Sequence, residues 1–275
     1  MAYLYEIDQF DHSPKPFTHL YYCYRKIYDE KLKSNLFVVD KLHYQLIKTA
    51  WFYKDCDVAR QKLLWWHEEL TNTFNGKAQH PISKELANLN LDKVQQSLIL
   101  EFVQAALAFI IYDYEINLLD QLLESLTPYF MLLYQLKLSF LNIEIDQKAQ
   151  ENLSYSVALN HYLYFLPDLI KQNLLLPSEY FAKEIKLDLT QLKQYQLSDN
   201  TKTFFKMIKN KSDQSFKTAY LNLNRMKKKQ IKPILTDVKI WQKLIKETQK
   251  NGFNLFNERI VLSPLQMLMQ SVFLM

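Results

Sequence analysis

Glycine is nearly missing from this chain. Gly76 and Gly252 are the only two in 275 residues. Tight turns and phosphate-cradling loops need positive φ or close backbone approach, which glycine supplies. A Walker loop or a dinucleotide fingerprint cannot be written with two isolated glycines. A large β-protein, with its many tight turns, is equally disfavoured. Cysteine is just as scarce. Cys23 and Cys56 cannot build a disulfide framework, and no Cys/His cluster has zinc spacing. Long apolar runs are missing too. The most apolar stretch, "SLILEFVQAALAFIIYDY", is interrupted by Glu101 and Gln104. It falls short of the roughly 20 residues a spanning helix needs. The opening "MAYLYEIDQFDHSPKPF" carries acids and no long apolar core, unlike a secretory signal. The chain therefore reads as cytoplasmic, with contact at a membrane surface left open.

Net charge is mild, +5. The densest basic run is "RMKKKQIK", Arg225 to Lys232. Such a run can touch phosphates or anionic lipid, but its plainer reading is a solvated helix end or loop. No nucleic-acid-binding motif is present, and the aromatics are not interleaved with the basic run. No nucleic-acid partner is expected.

What is abundant is helix-forming. Leu, Lys, Gln, Glu and Ala dominate, and they lose little freedom in a helix. Periodicity and stop signals predict an all-α, single-domain helical bundle over residues 1–275. Helices are expected at about 17–28, 35–52, 57–74, 91–114, 117–139 (kinked at Pro128), 151–175, 199–211, 215–226 and 234–251, with a terminal one opened by Ser263 and Pro264. Leu63, Trp66, Leu70 and Phe74 make one apolar stripe. Asn75-Gly76 stops that helix, and Pro177-Ser178-Glu179 starts a short one with Pro in its first turn.

Three blocks in order resemble the squalene/phytoene synthase family. "VARQKLLWWHEELTNTFNGKAQHPI" (Val58 to Ile82) is similar to its A-R-x-K-L-x-W-W-R-E-E-L segment followed by Gly and His-Pro. "LNHYLYFLPDLIKQNLLLPSEYF" (from Leu159) is similar to its L-x-N-I-x-R-D-x-x-x-D-x-x-x-G-R-x-Y-L-P segment. "WQKLIKETQKNGFNLFNERIVLSPLQMLM" resembles its C-terminal helix, Gly turn and R-x-x-L-S end. The resemblance implies an isoprenoid synthase bundle around a central apolar cavity. In active members it implies head-to-head condensation of two prenyl diphosphates. Two Asp-rich motifs there hold Mg²⁺, which draws charge off the diphosphate.

That chemistry needs carboxylates at i and i+4 on one helix face. The first motif's place is taken by "IKTAW", Ile47 to Trp51, with no acid and with Lys48. Asp55 and Asp57 are two apart and read as a loop and N-cap. At the second motif, Asn160 matches the Asn, Tyr164 replaces the first Asp, and Asp168 matches the second. Leu163 replaces the Arg, and Gln172-Asn173 replaces Gly-Arg. Asp120/Glu124 and Glu184/Asp188 are acids four apart, but lie elsewhere. The expected binding residues are Asn160, His161, Tyr164 and Trp66, with Asp168 as catalytic remnant and metal ligand. Trp65, Trp66 and His80 read first as packing, and a lone His161 as an interior residue. No activated nucleophile is evident.

Two functional readings result. In one, the chain is catalytically degenerate, requires no cofactor, and binds an isoprenoid or lipid or a protein partner. Family members lacking these Asp motifs assist assembly of the respiratory NADH dehydrogenase. The alternative is an active Mg²⁺-dependent head-to-head prenyl diphosphate transferase, using Asp168, Asn160, Glu68 and Glu69.

Overall fold

The computed structural model describes residue 8, residues 10–111 and residues 116–272. Thirteen helices occur among them: α1 (His19–Tyr24), α2 (Glu30–Phe52), α3 (Cys56–Phe74), α4 (Pro81–Ala87), α5 (Lys93–Ile111), α6 (Leu119–Leu141), α7 (Gln147–Gln172), α8 (Glu179–Glu184), α9 (Leu189–Lys193), α10 (Asp199–Asn222), α11 (Arg225–Gln230), α12 (Lys232–Lys250) and α13 (Pro264–Val272). The β structure among the described residues is one isolated parallel bridge, Ile116 to Pro177.

Local chemistry sets the helix ends. Asp29, Asp55, Asp146, Ser178, Asp188, Ser198 and Asn224 each accept a backbone N–H from the first turn of the helix that follows. Stops need left-handed backbone. Gly76 and Gly252 supply it at φ +78° and +67°. With no other glycine, Asn142 and Asn173 cap α6 and α7 at φ 53° and 54°. Leu175, Lys186 and Tyr195 take the same conformation without the short polar side chain that eases it.

α7 runs through the middle, with α6 and α10 along it and α2 and α12 also against it. Its apolar and polar faces are both buried over most of its length, as a central helix requires. α3 and α5 pack together, α5 packs on α6, and α1 lies against α12 and α13. Pro128 inside α6 is exposed, so the carbonyl it leaves without a donor lies on the solvent side.

Most predicted helices are present, α4 and α9 are two that were not expected, and three further details differ. The helices expected at 199–211 and 215–226 are one, α10. Ser212, where a break was expected, turns its hydroxyl to the Ser156 carbonyl and Asn160 Oδ1, both at 3.0 Å, and Lys209–Asp213 bridges one turn at 2.5 Å. The basic run is a helix of its own, α11, capped by Asn224. Pro177 sits outside α8, because Ser178 is the N-cap. Residues 112–114 of the predicted 91–114 helix lie outside the described residues. No helix among the described residues is long and apolar enough to cross a membrane.

Candidate functional site

α2, α7 and α12 meet around a set of rings. Trp51 of α2, Phe165, His161 and Tyr164 of α7, and Trp241 of α12 are all buried. Trp51 lies 6.1 Å from Phe165, His161 lies 3.7 Å from Trp241, and Tyr164 lies 5.7 Å from Trp241. Phe130 of α6 closes the group from the other side, 4.9 Å from His161. At this level the space between the helices is taken up by rings. The segment expected to replace the first Asp motif is therefore core: Ile47 and Trp51 are fully buried.

Asp168 lies one turn beyond Tyr164 on α7. Its carboxylate accepts from the Arg259 guanidinium, in the loop between α12 and α13. Lys171 Nζ stands 3.7 Å from the other oxygen. Arg259 also lies over the rings of Tyr164 and Phe165, at 5.7 and 5.8 Å. The Tyr164 hydroxyl donates to the Ile260 carbonyl at 3.3 Å. Burial pushes that phenol up to about 12, with Arg259 pulling the other way. The loop thus grips Asp168 through an ion pair and Tyr164 through a backbone carbonyl.

The other expected residues separate. His161 joins the ring group. Its Nδ1 pairs with the Val157 carbonyl at 2.9 Å, and burial lowers its pKa to about 3. The imidazole is neutral near pH 7, with Nδ1–H donating to that carbonyl. Asn160 points to α10, where Oδ1 accepts from Ser212, and its Nδ2 has no partner among the described residues. Trp66 packs on Trp65 and His80, with ring centroids 5.2 and 4.6 Å away. Glu69 accepts the N–H groups of Gln79 and His80 at 2.8 and 2.7 Å. Burial would raise its pKa, but those two donors lower it. Trp66 and Glu69 thus serve the α3–α4 turn. Glu68 is exposed, and Asp55 and Asp57 cap and open α3.

A second polar assembly escaped the sequence reading. Lys137 of α6 sits 2.6 Å from Asp40 of α2 and 3.9 Å from Asp237 of α12, all buried. Tyr24 donates to Asp40, Tyr134 donates to Asp237 at 3.1 Å, and His19 Nε2 lies 2.9 Å from Asp237. Burial works against the Lys137 ammonium, yet the two carboxylates hold it above its ordinary range. Burial likewise works against Asp237, but Lys137 and His19 hold it well below the usual carboxylate range. His19, Cys23 and Asp237 bring donor atoms within 4.8 Å of one another. The adjacent ammonium already neutralises that carboxylate, so the group reads as an ion-pair network.

No family model and no curated protein matches this sequence. Solved structures do match in fold. A squalene synthase, HpnC from Alicyclobacillus acidocaldarius, superposes with TM-score 0.65 over 85% of this chain and 89% of its own, at 13% identity. A dehydrosqualene synthase in complex with ligand gives TM-score 0.69 over 92% and 95%, at 12% identity. The chain has the squalene/phytoene synthase-like isoprenoid synthase fold. Within that fold, Asp168 is the place to test for Mg²⁺, and its surroundings do not fit the ion. Mg²⁺ asks for several hard oxygen donors. Here one carboxylate faces a guanidinium and an ammonium, and its i−4 neighbour is a phenol bonded elsewhere.

Proposed function

We propose that this chain, as one domain over residues 1–275, is a non-catalytic protein of the isoprenoid synthase fold. It acts by binding an isoprenoid or lipid, or by serving a protein partner as an assembly factor, in the cytoplasm or at a membrane surface. The observation carrying this reading is the Arg259–Asp168 pair. The guanidinium holds the charge that a metal would otherwise hold, and Tyr164 stands where the second ligand is required. Ionising a prenyl diphosphate without metal leaves the departing charge unsupported. Losing even one well-placed electrostatic group costs about 3–4 kcal/mol of transition-state stabilisation.

The test is incubation of the purified protein with farnesyl or geranylgeranyl diphosphate and Mg²⁺, measuring diphosphate release and hydrocarbon product. No turnover is expected, and Mg²⁺ is expected to leave the protein's stability unchanged. Turnover lost on Asp168→Ala would overturn this reading and establish the active head-to-head transferase. Native mass spectrometry of the purified protein then separates the two non-catalytic roles. A co-purified lipid supports carriage, and a bare chain supports the assembly role.

A further inference from the structure

A cleft of about 850 Å³ opens at the other end of the bundle. It is lined by the end of α1, the α1–α2 loop, the first turn of α2, the ends of α6 and α10, α11, the start of α12 and the end of α13. Leu32, in its wall, and Trp51, in the ring group, are 19 residues apart on α2. At 1.5 Å per residue that is about 28 Å on α2, while on α12 the lining residue Thr236 stands about 7.5 Å from Trp241. Asp168, Tyr164, Lys171 and Arg259 do not line the cleft.

Charge and apolar surface are arranged distinctly here. Five cations line the cleft: Lys26, Arg225, Lys228, Lys229 and Lys232. None of them pairs with a carboxylate among the described residues. The one acid in the lining, Asp29, already accepts the Lys31 and Leu32 N–H groups as the N-cap of α2. The cations therefore outnumber the one carboxylate of the lining five to one. Burial first, then Lys26 and Arg25, lower the Lys232 ammonium to about 8. Lys228 is steadied 4.0 Å over the Tyr220 ring, itself a wall residue. The lining also holds apolar side chains, among them Ile27, Leu32, Leu141 and Pro233. The volume lies within the range of small-molecule sites and is far more than a bare phosphate fills.

Unpaired cations call for an anion with several acceptor oxygens. The apolar walls call for a chain attached to it. We propose that this cleft binds an amphiphile with a phosphate head, the head between Lys26, Lys228 and Lys232 and an attached chain along Ile27, Leu141 and Pro233. Such a head could come from a free monomer or from a lipid within a bilayer. The proposal is independent of Asp168 and of whether the protein turns over prenyl diphosphates.

The experiment uses the full chain and lysophosphatidic acid below its micelle concentration, followed by isothermal titration calorimetry. The wild type is expected to bind one equivalent. Lys228→Gln/Lys232→Gln should weaken binding about tenfold or more, because each substitution removes a charge-assisted hydrogen bond. Neither side chain is in the core, and circular dichroism checks that the variant folds. Lys171→Gln, beside Asp168, should bind like wild type. Lysophosphatidylcholine, whose head carries no net charge, should bind at least tenfold more weakly. Flotation with phosphatidylcholine vesicles, with and without phosphatidic acid, distinguishes the sources. Association that requires phosphatidic acid and is lost in the double variant assigns the head to a bilayer. Monomer binding without flotation assigns it to a free amphiphile. No binding of lysophosphatidic acid, equal binding by the double variant, or inorganic diphosphate binding as tightly as the amphiphile would overturn the proposal.

Discussion

Breaking the Arg259–Asp168 pair is the sharpest probe of the site. The Asp168 side chain is 16% exposed and the Arg259 side chain 24%, so the pair lies between two regimes. Exposed pairs contribute about 0–1 kcal/mol. Breaking a fully buried pair costs about 3–5 kcal/mol. Solvent screening places this one at about 2 kcal/mol. Arg259→Leu also loses the cation–π contacts to Tyr164 and Phe165, which are long and contribute about 0.5 kcal/mol. It leaves a carboxylate with only the exposed Lys171 beside it. Asp168→Asn keeps an acceptor for a guanidinium still seated on the rings, so it should cost less, about 1–2 kcal/mol. The double variant should lose little more than Arg259→Leu alone. Urea unfolding of the four proteins measures the coupling, expected at about 1–2 kcal/mol. Two results would refute the reasoning. One is a coupling below about 0.5 kcal/mol. The other is a wild-type midpoint that rises with Mg²⁺ and stops rising in Asp168→Asn, since ligand binding to the native state alone stabilises it.

Other consequences can be checked in the same way. Lys137→Met strands Asp40 and Asp237 in the interior and should cost about 3–5 kcal/mol, whereas a loss under about 1 kcal/mol would mean the two acids do not rely on it. His161 and His43 are both held below the ordinary histidine pKa by burial. The unfolded chain therefore takes up protons that the native state refuses once pH falls below about 6.5. Stability should drop on acidification from that point down toward His161's folded value of about 3, by about 1.4 kcal/mol per pH unit for each such group. Phe in place of His161 should reduce that slope by one group, as read from urea midpoints at several pH values, and an unchanged slope would count against a neutral buried imidazole. Lys186 is exposed at φ 55°. Lys186→Gly exchanges about 1–2 kcal/mol of left-handed strain for glycine's added chain entropy, so stability should rise by about 0.5–1 kcal/mol, read as a higher urea midpoint. A lower midpoint would show that the lysine side chain contributes there.

Helix positions were legible because they rest on short-range chemistry. The apolar stripe of α3, the Asp55 cap, the Gly76 and Gly252 stops and the Ser263-Pro264 start all act within a few residues. The false break in α10 has the same origin in reverse. A polar stretch reads as a loop until Asn160, 52 residues earlier, accepts the Ser212 hydroxyl. Asp168 and Tyr164 were singled out by resemblance, and that Asp168 has no second carboxylate four residues before it is visible in the residues themselves. Their actual partners were not. Arg259 stands 91 residues from Asp168, and its Arg-x-x-Leu-Ser setting does not say which acid it meets. Nothing in the local sequence marks Lys137, Asp40 and Asp237 as buried, because burial is decided by helices packing together and not by any one of them. Trp66 went the other way. Its block is the most family-like stretch of the chain, yet it serves a turn.

The seat of α1 bears on how the chain comes off the ribosome. His19 meets Asp237, and Arg25 reaches Ser271, 246 residues later, at 3.3 Å. At roughly 5–20 residues per second, α1 therefore waits about 10–50 s after its own synthesis before α12 and α13 exist to receive it. Throughout that interval Leu20, Tyr22 and Tyr24, all buried in the finished protein, stand without their final cover. An early helix with a late partner is a natural client for a chaperone, and a crosslinking trap on stalled nascent chains should find α1 engaged until residue 271 has cleared the exit tunnel.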